Sequence, residues 1–288
     1  MTPARATAVG LGAVAMWSTL AVLTVASTPV PPLQLNAMCF ALAGGAGLVW
    51  AWRAEGGLAF LKDVPLAAYA LGIGGLFGYH ALYFAALRLA PPAQAGLIAY
   101  LWPLLIVLFS GLLPGETLRR GHVVGATLAF GGAALILVGS GQSVQAGALP
   151  GYGLAFLCAL TWAGYSVLSR RFASVPTGAV AVYCLAAGAL SVLLHGALEV
   201  TRWPQGALGW AAVLGLGLGP VGMAFFLWDV GMKRGDIQLL GVASYAAPLI
   251  STLILVGVGF AALTPQLGLA AMLLTAGAAL AARASART

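Results

Sequence analysis

The chain has 288 residues, of which 61% are hydrophobic and only 7% charged, and its formal net charge is +7. A soluble domain carries about 25% charged residues, so this composition excludes a water-exposed fold and makes lipid the solvent. Cys39, Cys158 and Cys184 lie far apart in apolar text, which reads as packing and excludes a disulfide framework or a zinc site; no metal or cofactor is expected.

Apolar runs of about 20 residues read as membrane-spanning helices, and ten follow one another, their ends placed roughly. The first, roughly 6–26, holds Trp17 at mid-span, where an indole N–H needs a partner or water. Arg5, the apolar run and "VAS" at 25–27 loosely fit a leader peptide. After "STPVPP" the second span, roughly 33–53, ends in Trp50 and Trp52, which fit the interfacial aromatic belt.

The third span, roughly 65–87, is the most informative. At 100° per residue Gly72, Gly75, Tyr79 and Tyr83 fall on one face, with His80 at its edge. An ionisable group near mid-membrane is costly and faces a cavity or a partner; a structural histidine bonded to a neighbouring carbonyl is the alternative. The fourth span, roughly 92–113, reads "GLIAYLWPLL" over 96–105. Pro103 removes a backbone donor and should kink it. Gly96, Tyr100 and Pro103 share a face, whereas Trp102 points away from Tyr100 in an ideal helix. Both can line one cavity only if the kink re-aims one of them. "PGETLRRGH" precedes the fifth span, roughly 121–139, and "GSGQSVQAGALP" follows it. Ser140 there has no histidine partner in the sequence to make it a nucleophile.

The sixth to tenth spans, roughly 149–169, 178–198, 207–232, 237–260 and 264–283, repeat the first five at a fixed offset of 145. Trp17 meets Trp162, Tyr83 meets Trp228 and Arg88 meets Lys233. "GLIAYLWPLL" meets "GVASYAAPLI", so Tyr100 meets Tyr245 and Pro103 meets Pro248. The counterpart of the first span argues that this span is retained. Residues 1–143 and 144–288 thus form two five-span repeats. Five is odd, so the second enters the membrane from the opposite side, the inverted arrangement of many secondary transporters. The eighth span carries the stripe Gly217, Val221, Phe225 and Trp228, without a histidine. Asp229 stands one turn before Lys233 and is expected to pair with it near one face. With ten spans, eleven of the thirteen basic residues fall on the side of both termini and two, Arg88 and Arg202, on the other. Basic loops stay inside, so both termini should be cytoplasmic, and the charge has no need of nucleic acid to explain it.

Ten spans in two five-helix halves, with Trp17 and Trp162 in the first helix of each, resemble the EamA-repeat branch of the drug/metabolite transporter superfamily. "GYHALYFAAL" at 78–87 and "YLWPLL" at 100–105 are most similar to its aromatic amino acid exporters of the YddG type. The resemblance implies a bacterial inner-membrane protein, functional as a monomer among lipids, that exports aromatic and other neutral amino acids by alternating access. The expected solute site comprises Trp17, Tyr79, His80, Tyr83, Tyr100, Trp102, Trp162, Trp228 and Tyr245, Trp102 being included on the resemblance; Pro103 and Pro248 are expected hinges. A proton-coupled exporter of cationic drugs is the alternative, since aromatic cages suit cations. The small multidrug members of the superfamily use a glutamate in their first helix, and "TAVGLGAVAMWSTLAVLTVAS" has none. An exchanger of phosphorylated sugars should present buried Lys or Arg, and none stands out. Neither a metal helix nor paired intramembrane aspartates support an enzyme; a non-transporting scaffold remains as the reading from another class.

Overall fold

The structure, a computed structural model, describes residues 1–138, 146–259 and 263–286. The boundary between the halves at 143/144, Ser140, Arg287 and the ends of the fifth and ninth spans at 139 and 260 lie outside the described residues.

Helices α1 (Pro3–Trp17) and α2 (Leu20–Ala26) form the first span, α3 (Pro32–Ala54) the second and α4 (Leu66–Leu89) the third. The fourth span is α5 (Pro92–Ala99) with α6 (Trp102–Ser110), and the fifth is α7 (Arg120–Val138). Helices α8 (Leu149–Leu168) and α9 (Val180–Leu198) are the sixth and seventh. The eighth is α10 (Gly206–Leu218) and α11 (Ala224–Arg234), joined by a π turn over Gly219–Met223. The ninth is α12 (Ile237–Ala243) with α13 (Ala246–Gly257), and the tenth is α14 (Pro265–Ser285). Eight of these ten stretches are long and apolar enough to cross a membrane; Gln94–Ser110 and Arg120–Ile136 are shorter apolar helices at the fourth and fifth positions. No strand occurs among the described residues. The fold is an all-α integral membrane protein of ten transmembrane helices in two inverted five-helix repeats.

Local chemistry sets where the helices start and break. Pro32, Pro92 and Pro265 occupy first-turn positions, where a missing N–H costs nothing. The Asp236 carboxylate caps α12 by accepting from Leu239 N at 2.8 Å. The first span, continuous by hydropathy, is interrupted at Ser18–Thr19. There the Ser18 hydroxyl donates to Val14 O at 2.9 Å and the Thr19 hydroxyl to Met16 O at 2.8 Å, the local side-chain bonding that competes with a helix. The sixth span has Ala163 and Gly164 at the matching places and runs unbroken.

The pairing of spans follows from the inverted duplication. Helix α1 packs along α11, and α4, the counterpart of α11, packs along α8, the counterpart of α1. Helix α3 packs on its own counterpart α9, and α7 on α14. At the last crossing the backbones nearly touch: a Cβ at Gly125 would sit 2.5 Å from Gly277 O, and one at Gly277 2.5 Å from Gly125 O. Small residues give such close approach its van der Waals contact in lipid.

Candidate functional site

The fourth and ninth spans break at the same place. Tyr100 and Leu101 separate α5 from α6, and Ser244 and Tyr245 separate α12 from α13. Pro103 and Pro248 lie a few residues later, each unable to donate to the carbonyl four residues earlier. The turns tighten instead: Leu101 N donates to Ile98 O at 3.1 Å, and Ala247 N to Ser244 O at 3.2 Å. The break re-aims Trp102. Its ring stands 6.0 Å from that of Tyr100, so the two residues that an ideal helix would set apart share one cluster.

That cluster lies where the broken spans meet the first, third, sixth and eighth. The Trp17 ring is 5.0 Å from Trp228, 5.8 Å from Trp162 and 6.0 Å from Trp102. Tyr79 stands 5.3 Å from Trp162 and stacks on Tyr83 at 6.1 Å. Tyr100 reaches Tyr245 at 6.0 Å. His80 joins through Phe40 at 5.2 Å and Phe225 at 6.2 Å. All nine expected site residues are therefore contiguous. Phe40 and Phe225 complete the set. Phe40 carries no signal in the sequence: on α3 it sits in plain apolar text, with no polar atom or repeat partner to mark it.

Hydrogen bonds divide the nine. Three have polar atoms bonded to the scaffold. The Trp17 indole donates to Pro220 O in the π turn at 3.0 Å, and the Trp228 indole to the Ser166 hydroxyl at 3.0 Å. The Tyr245 hydroxyl accepts from Leu104 N at 3.0 Å. Leu104 lies just after the break in α6, so a side chain of the second half caps a broken helix of the first, as a dry interior requires. The other six keep polar atoms without partners among the described residues: the hydroxyls of Tyr79, Tyr83 and Tyr100, the indoles of Trp102 and Trp162, and one nitrogen of His80. The fully buried side-chain atoms left unpaired among the described residues are Gln34 Nε2 and Tyr165 Oη, so the unpaired atoms of those six are not completely enclosed.

His80 Nδ1 lies 2.7 Å from Leu76 O. A carbonyl only accepts, so Nδ1 carries the hydrogen. In the neutral ring Nε2 is then an acceptor, suited to an N–H or O–H of a solute. One nitrogen is thus bonded to a neighbouring carbonyl, as the structural alternative expects, and the other has no partner among the described residues.

Charge is placed differently from the sequence-based expectation in one respect. Asp229 and Lys233 pair as expected, at 2.9 Å, but inside the protein, with 2% and 7% exposure. A buried lysine and a buried acid thus exist where neither stood out; the π turn upstream in the eighth span shifts α11 away from the register of a plain helix. Arg88, the counterpart of Lys233, instead pairs with Glu199 at 3.3 Å while half exposed. Trp50 and Trp52, expected in the interfacial belt, are exposed, as are Trp203 and Trp210 at the start of the eighth span. Tyr152, which stands near a span end like the belt residues, turns inward to donate to the Gln94 side chain. Among the described residues no group of acids, histidines and cysteines could hold a metal ion.

The sequence matches the EamA-like transporter family twice, over residues 5–138 and 149–283. The aromatic amino acid exporter YddG of Ancylobacter novellus is 51% identical over 284 residues, which cover 98% of each chain. The exporter of the same name from Salmonella typhimurium is 29% identical over 269 residues, 88% of each. A solved crystal structure with 50% sequence identity superposes with a TM-score of 0.95 over 100% of both chains.

Proposed function

Because this chain belongs to the EamA-like transporter family, and is thus a multi-pass membrane protein that moves small metabolites, we propose that it exports aromatic and other neutral amino acids from a bacterial cytoplasm. The observation that carries this reading is the division of the cluster. Trp17, Trp228 and Tyr245 are fixed by bonds to the scaffold, while neighbouring rings offer aromatic faces and uncharged donors and acceptors. Such a wall suits an aromatic side chain with a polar edge, an indole or a phenol. The exporter names carried by two relatives support the same solute class.

The solute passes unchanged, so no catalytic residue or cofactor is needed. The protein works as a monomer in the inner membrane, with both termini cytoplasmic by the distribution of basic residues. Alternating access follows from inverted halves that can exchange conformations about a central site. Export of cationic drugs is the weaker reading, because Asp229 is already neutralised by Lys233 and the first span holds no acid.

Purified protein in liposomes, offered a panel of labelled amino acids with and without a pH gradient, tests the proposal. L-Tryptophan and L-phenylalanine should cross chemically unchanged and ahead of lysine or glutamate. Preferential flux of organic cations, or chemical conversion of the solute, would overturn it.

A further inference from the structure

An amino acid brings two charges, and the free polar atoms of the aromatic cluster are all uncharged. One ring away the protein holds the complementary pair. The Tyr165 ring packs 5.3 Å from Trp162, and Tyr165 also lines, with Gly72, Tyr183, Asp229 and Lys233, a narrow cavity of about 10 Å³, room for a single water until the helices around it part. Tyr165 is only 3% exposed, and its buried hydroxyl has no hydrogen-bond partner among the described residues. A buried, unpaired hydroxyl costs free energy, and its place beside a buried ion pair gives it a use.

Each charge of that pair has a second anchor. Lys233 Nζ also donates to Val175 O at 3.0 Å, and Asp229 Oδ2 accepts from the Thr177 hydroxyl at 2.7 Å. The two can part without either losing all its partners. Helix α4 closes the cavity with Ala68, Leu71 and Gly72 and packs tightly beside it: a Cβ at Gly72 would lie 2.3 Å from the Tyr183 ring, and one at Gly75 2.5 Å from the Tyr165 ring. Sliding α4 off α8 and α9 therefore uncovers it. It also lies at the end of the molecule that carries the basic residues Arg170, Arg171 and Arg234, the side from which an exported solute arrives.

We propose that this cavity is a second binding site, for the zwitterionic headgroup of the amino acid. The incoming carboxylate accepts from Lys233 Nζ and the Tyr165 hydroxyl, and the α-ammonium donates to Asp229 Oδ1. The internal ion pair is exchanged for two external ones, so the site stays neutral whether empty or filled. The inference rests on the reading of the solute as an aromatic amino acid. It adds a reason for the whole amino acid to be selected over its ring.

The test is competition for L-tryptophan flux in liposomes by tryptamine, which lacks the carboxylate, and by indole-3-propionate, which lacks the ammonium. The wild-type chain should prefer L-tryptophan to both. Asp229→Asn combined with Lys233→Met leaves no unpaired charge and should cut that preference by about tenfold, the scale of one hydrogen bond to a charged group. Tyr165→Phe removes an atom that bonds nothing within the protein, so a structural role predicts a fully active or stabilised variant. The site predicts weaker discrimination against tryptamine. If the double variant does not fold, Tyr165→Phe alone decides. An unchanged preference in Tyr165→Phe, with flux intact, overturns the second site and leaves the exporter standing. Absence of L-tryptophan flux in the wild type overturns both.

Discussion

Tyr100 and Tyr245 occupy matching places in the two halves and do different work. Tyr245 is fully buried and caps Leu104 N, while the Tyr100 hydroxyl makes no such bond among the described residues. Tyr245→Phe should therefore cost about 1–3 kcal/mol of stability by leaving a buried amide unpaired, read as a lower melting temperature in detergent. Tyr100→Phe should leave the melting temperature in place and weaken flux of L-tryptophan instead. The reverse pattern would mean the roles are exchanged. The residue types of the site were legible in the sequence, because Trp, Tyr and His in apolar text need a reason to be there. Which of them were already spent was not, because Pro220, Ser166 and Leu104 lie far along the chain from the side chains they bind. Tyr165 escaped notice because nothing in "TWAGYSVL" says that its hydroxyl is left without a partner.

The four interrupted spans differ in cause, and the cause decides how movable each break is. In the first span two hydroxyls compete with the helix, and in the eighth Pro220 sits in a π turn held by the Trp17 indole. In the fourth and ninth a proline lies just past the break. Those last two are legible in the sequence, since proline states its own effect. The eighth carries the same kind of mark in Pro220, whereas the first does not, because ordinary Ser and Thr act there only through local bonding geometry. The fourth span's break is held twice, by Pro103 and by the Tyr245 cap, whereas among the described residues no tyrosine caps the ninth in return. Pro248→Ala should thus straighten its span more than Pro103→Ala. With cysteines engineered at the two mouths, Pro248→Ala should show the larger change in reagent accessibility. The two variants should move it in opposite directions if the halves are equivalent. No change in either, with transport intact, would leave the prolines as packing features.

For the molecule as a whole, two opposed copies of five helices bring one aromatic cluster together between them. Span count and the inverted repeat could be read from hydropathy and from the 145-residue offset, because both are properties of long stretches. The exchange of partners, α1 on α11 and α4 on α8, could not, because it depends on which faces meet. Reporter fusions after Arg119 and after Arg202 should lie on opposite sides of the membrane, cytoplasmic and external; finding both on one side would break the inverted arrangement. The central claim is that the aromatic cluster at the crossing of the halves, and not aromatic content in general, holds the solute. Counterflow of labelled L-tryptophan in liposomes tests it most directly, with Trp17→Ala and Tyr83→Ala set against Trp50→Ala and Trp203→Ala at equal protein content. Loss of one aromatic partner scales to about tenfold, so the first two should fall by at least that much while the two exposed tryptophan variants stay near wild type. Equal loss in all four would contradict the account.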